Sequence, residues 1–188
     1  MNSSIKNLFV CIVLLFPAGL SAQYGDQISG NDFLRTVKVN RWVSPVVGDF
    51  VTIPESHATD AQMASWGYKS KIFQYEAWID NPGDEGETVA VYRWTMPNCN
   101  DFIILGEHEH TDTQLESWGY RDKKFLFYAF KTPPNSSYVA VNRWISALPE
   151  GNSCRDYTLS VLATEFTDEQ LTSWGYSGKK VQFYVLKP

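Results

Sequence analysis

Apolar and polar residues alternate in three short segments, Val37-Lys-Val-Asn-Arg-Trp42, Val89-Ala-Val-Tyr-Arg-Trp94 and Val139-Ala-Val-Asn-Arg-Trp144. A period of two predicts strands with one buried face. A second apolar strand is expected at 50–53, 102–105 and 157–161, each preceded by an aspartate, Asp49, Asp101 or Asp156. The pattern then changes. Thr59-Asp60-x-Gln62, Thr111-Asp112-x-Gln114 and Thr167-Asp168-x-Gln170 are capping boxes, in which the threonine oxygen and the glutamine side chain satisfy two helix-end donors reciprocally. Each predicts a short helix ended by Gly67, Gly119 or Gly175, because glycine takes the left-handed C′ conformation without a Cβ clash. Met63, Leu115 or Leu171 stands three residues before Trp66, Trp118 or Trp174, a spacing that places both on one helix face and the tryptophan in the core. A closing strand follows at Phe73-Gln-Tyr-Glu-Ala77, Phe125-Leu-Phe-Tyr-Ala129 and Val181-Gln-Phe-Tyr-Val185.

The three sets repeat with a period near fifty. Arg41, Arg93 and Arg143 are 52 and then 50 residues apart, and Trp66, Trp118 and Trp174 are 52 and then 56 apart. Such a period means one supersecondary unit per repeat, unable to bury its apolar face alone. If the tyrosine after each glycine starts a further strand before a turn, each repeat has four. The expected fold is then all-β with short capped helices, β-trefoil-like, with the last strand closing on the first; a three-sheet β-prism is the alternative. Turn-rich joints at 81–87 and 132–137 separate repeats at about 35–80, 88–131 and 138–188 within one domain, 35–188. Repeat three carries a longer loop at 146–154.

Residues 1–22 carry one lysine, an apolar run at 8–16, Pro17 and a small-residue ending, which reads as a secretory signal peptide, followed by a polar tail at 23–34. No later stretch approaches the roughly 20 apolar residues of a membrane helix. Removing the signal leaves 15 basic against 21 acidic residues. An acidic chain with no basic cluster excludes phosphate-backbone binding as the organising purpose, so no nucleic-acid partner is expected. It also leaves Cys99 and Cys154 as an even pair in an exported chain, and a disulfide between them is expected.

Candidate chemistry is sparse. No nucleophile elbow, His-Glu-x-x-His or phosphate loop occurs, so neither an enzyme nor a cofactor is expected. Glu107-His-Glu-His110 could place two imidazoles on one strand face, but it occurs in one repeat and lacks further ligands, so no metal is assigned. Arg41, Arg93 and Arg143 share a strand face with valines, and a buried guanidinium needs a partner. Asp49, Asp101 and Asp156 are expected to form the structural ion pairs. Trp42, Trp94 and Trp144 fall on the opposite face. They either pack under the short helix or, with Asn40, Tyr92 and Asn142, form sugar-stacking platforms, and this set is the ligand-binding candidate.

The succession Val-x-Val-x-Arg, Asp-Phe, Trp-Gly-Tyr and Phe-Tyr resembles a family of secreted β-repeat modules of unknown function, often appended to extracellular hydrolases. The likeness spans all three repeats. Phe50, Phe102 and Tyr157 stand where that family has a histidine after the aspartate. The resemblance implies a secreted noncatalytic module. With seven tryptophans, ten tyrosines and eleven phenylalanines available, a glycan or cell-surface polymer is the expected ligand. The alternative is a protein-interaction or inhibitor protein acting through the 146–154 loop.

Overall fold

The alternating segments form strands and the capping boxes form helices, in one order that occurs three times. The elements are β1 (Thr36–Ser44), β2 (Asp49–Pro54), α1 (Asp60–Ser65), β3 (Ser70–Trp78), β4 (Thr88–Met96), β5 (Asp101–Gly106), α2 (Asp112–Ser117), β6 (Arg121–Phe130), β7 (Tyr138–Ser146), β8 (Thr158–Leu162), α3 (Asp168–Ser173) and β9 (Tyr176–Leu186). The computed structural model describes residues 34–45, 49–83, 87–97, 101–146 and 158–188, which lie in one compact unit. The signal peptide, nearly all of the 23–34 tail, Cys99, Cys154, Asp156 and most of the 146–154 loop lie outside the described residues, as do the side chains of Asp49 and Asp101.

Among the described residues each repeat contributes three strands rather than four. The residues expected to turn after the glycine are absorbed into one long closing strand: Asp122 and Gly178 adopt φ of 54° and 64° inside β6 and β9, and the ladder shifts register beside them. All pairings are antiparallel. The nine strands form one sheet that runs β2-β1-β3-β6-β9-β7-β8, with β4 joined to β6 and β5 to β4. The closing strands also meet one another, at Trp78 and Tyr128, Phe130 and Tyr184, and Glu76 and Leu186. Among the described residues β9 therefore closes on β3 and β6, not on β1 as a trefoil would require.

One bulge recurs and shapes the core. Val39 pairs with Tyr75 but Asn40 with Phe73, so Gln74 is the extra residue; Leu126 and Gln182 are passed over in the same way. A bulge lets two successive side chains point inward. Gln74 and Tyr75, Leu126 and Phe127, and Gln182 and Phe183 are accordingly all buried. Phe127 meets Tyr75 and Phe183 edge to face at 6.1 and 5.8 Å, the geometry ring quadrupoles favour, and Val39, Val91 and Val141 fill around them. The other face of each unit packs under its helix through Met63, Leu115 or Leu171.

Candidate functional site

All three capping boxes form, with both reciprocal hydrogen bonds. An aspartate in the first turn reaches a lysine of the closing strand: Asp60 to Lys71 at 3.0 Å, Asp112 to Lys123 at 2.8 Å and Asp168 to Lys179 at 2.7 Å. Each ammonium also lies 5.5–5.7 Å from the ring centre of Trp42, Trp94 or Trp144. Gly67, Gly119 and Gly175 take φ of 91°, 95° and 88° as expected.

The tryptophans exchange the places expected of them. Trp66, Trp118 and Trp174 are 53, 54 and 55 % exposed, so they are not core residues. Each is the C-cap, with ψ near 0°, where the chain has already left helical geometry and a three-residue spacing no longer defines a common face. The first two helices close with a Schellman pattern, Tyr68 N donating to Met63 O and Tyr120 N to Leu115 O, which turns the tyrosine inward and leaves the tryptophan outside. Conversely Trp42, Trp94 and Trp144 are only 6, 4 and 4 % exposed and cannot offer a ring face to a sugar. The helix covers them. Asn40 and Asn142 are buried as well, and half-buried Tyr92 meets Phe125 edge to face at 5.9 Å under the Lys123 ammonium. That platform does not form.

The arginines lie at seams between repeats, and two of them are paired with glutamates; Asp156 and the side chains of Asp49 and Asp101, expected to pair with them, lie outside the described residues. Arg41 Nη2 contacts Glu165 Oε1 at 2.6 Å, and Arg143 Nη1 contacts Glu109 Oε2 at 3.1 Å. The bulge glutamines complete each seam. Gln74 Nε2 donates to Glu165 Oε1 at 3.3 Å; Gln182 Nε2 donates to Glu109 Oε1 at 2.9 Å and to Ile104 O, while Gln182 Oε1 accepts from Ser160 Oγ. The Glu109 side chain is fully buried, which is tolerable only because it is paired and hydrogen-bonded. Both glutamates stand two residues before the capping-box threonine, and that shared position was the signal in the sequence that could have revealed them. In strand register Arg143 pairs with Ser160 as Arg41 pairs with Thr52, so Thr158, not Tyr157, is equivalent to Phe50.

At the third seam the same position holds His57, and Leu126 replaces the glutamine. Burial first, then the positive charges of Arg93 and Lys124, lower His57 to about 4, so it is neutral at physiological pH. Among the described residues Arg93 has no ion-pair partner. Its guanidinium rests over Phe102 at 5.6 Å, and its buried Nε makes no hydrogen bond.

Two of the exposed tryptophans border these seams. Trp174 meets Phe166 edge to face at 5.2 Å, and Phe166 lies 5.1 Å from the Arg41 guanidinium. Trp118 meets His110 at 5.0 Å, and His110 Nε2 lies 3.5 Å from Arg143. His108 is in a turn with Glu109, not on a strand, and both histidines are lowered mainly by burial. Among the described residues no cluster of three or more His, Cys, Asp or Glu could hold a metal, and no helix is long and apolar enough to cross a membrane.

No protein-family model matches the chain, and no curated protein or solved structure is similar to it.

Proposed function

We propose that the protein is an exported, noncatalytic binding module for carbohydrate, with Trp66, Trp118 and Trp174 as its ring-stacking residues. One observation carries this reading: the same large apolar side chain, at the same C-cap position in each repeat, is more than half exposed although tryptophan is ordinarily well buried. An indole face complements the apolar face of a pyranose, and each stack contributes on the order of 1 kcal/mol. Three weak sites on one body gain by avidity when the target is a polymer or cell surface. The expectation of export comes from residues 1–22, and a secreted module agrees with the resemblance noted in the repeat motifs.

The test is retention of the protein on insoluble polysaccharides and peptidoglycan. Alanine at Trp66, Trp118 or Trp174 singly should weaken retention about three- to tenfold, and the triple variant should abolish it. A triple variant that binds like wild type, or a wild-type protein retained by none of these polymers, overturns the proposal.

A further inference from the structure

Among the described residues, two of the three seams hold an internal carboxylate against an arginine and the third does not, which makes the chain its own comparison. Glu165 sits on Arg41 and Glu109 on Arg143, each helped by a glutamine at the strand bulge. At the third seam β2 packs against β6 as β5 packs against β9, yet His57 and Leu126 replace the carboxylate and the amide together. The arginine was kept. A second change removes a ring: Phe166 lies over Arg41 and His110 beside Arg143, whereas the equivalent of both is the small, buried Ala58, which has no ring to place over Arg93. Lys124 is the cross-strand neighbour of Arg93, so two cations adjoin there, with Asp122 contributing an attraction to Arg93 but no ion pair.

We propose that the Arg93 seam is a binding site for an external carboxylate of the kind a uronic sugar carries, seated on the Arg93 guanidinium beside His57, on the side where equivalence with Trp118 and Trp174 puts Trp66. This rests on the glycan reading above and names an acidic sugar as one class of its ligand. The guanidinium fork matches a carboxylate, and charge-assisted hydrogen bonds of this type are about twice as strong as neutral ones. Neutral His57 keeps one ring N–H to donate, and an adjacent carboxylate would raise its protonation range. The sugar ring attached to that carboxylate would lie toward the indole of Trp66, which Ala58 leaves without the ring neighbour that Trp118 and Trp174 have.

The experiment is an NMR titration of the His57 imidazole in the full chain with glucuronate, acetate and glucose. Glucuronate and acetate should shift its resonances and raise its midpoint from about 4, glucuronate at lower concentration than acetate, and glucose should do neither. Acetate acting as well as glucuronate would remove the sugar from the assignment. Arg93→Gln should lose at least about tenfold in glucuronate affinity. Should that variant fail to fold, His57→Glu, which supplies the carboxylate internally, should fold with a raised Tm and no longer bind glucuronate, as read by calorimetry. Unchanged His57 resonances with both carboxylates, or undiminished glucuronate binding by a folded Arg93→Gln or His57→Glu variant, overturns the site. Polymer retention through Trp118 and Trp174 is measured separately, so failure of this site and failure of the module's glycan binding are distinguishable.

Discussion

Replacing Glu165 by alanine tests the seam architecture most directly, because that residue joins the third repeat to the first. Its carboxylate lies 2.6 Å from Arg41, whose side chain is almost entirely buried. Truncation leaves a guanidinium whose Nε and Nη1 already lack hydrogen-bond partners, and it removes the acceptor of Gln74. Breaking one side of a buried pair costs about 3–5 kcal/mol, since the remaining charge stays desolvated. That is a large part of a typical stability of about 5–15 kcal/mol. With a urea m-value of about 2 kcal/mol/M, the unfolding midpoint should fall by roughly 2 M. The loss should persist in high salt, because a buried pair is poorly screened. The double variant Arg41→Met, Glu165→Leu should recover most of it, as apolar replacement of a buried pair is often neutral or stabilising. A loss below about 1 kcal/mol, or one that disappears with salt, would place the pair in solvent and refute the reasoning.

Three further outcomes follow from the same geometry. Trp94→Ala should cost about 3–5 kcal/mol by emptying a buried site, whereas Trp118→Ala should change stability by less than about 1 kcal/mol; thermal melts giving equal losses would contradict the observed exchange of roles. Gly119→Val should cost about 1–3 kcal/mol, not through a clash, since nothing lies within 4 Å of its Cβ position, but through the φ of 95°; an unchanged urea midpoint would refute it. His57 titrates near 4 when folded and near 6.5 when unfolded, so as pH falls the unfolded chain takes up the proton first. The stability of the neutral form should be complete above about pH 6.5, decline down to about pH 4 and level off below, a loss of about 1 kcal/mol after solvent screening. His57→Gln should remove that increment from the pH profile.

Local order was legible in the residues because its causes are local. A threonine and a glutamine three positions apart determine a helix start wherever they fall, and a glycine at the left-handed position determines its end; all six features stand where the spacing put them. Alternation likewise specified the first strand of each repeat. What alternation does not carry is a bulge, since passing over Gln74, Leu126 or Gln182 depends on the partner strand. The tryptophan roles were reversed for a related reason: a six-residue helix leaves its C-cap outside helical phase, and only packing against the sheet decides which ring is covered. The ion pairs lay further still from sequence logic. Arg41 and Glu165 are near neighbours only because the closing strands of three repeats meet, so the residues at 57, 109 and 165 could be aligned in the sequence while their role as a ring of carboxylate, carboxylate and histidine existed only once the chain had folded.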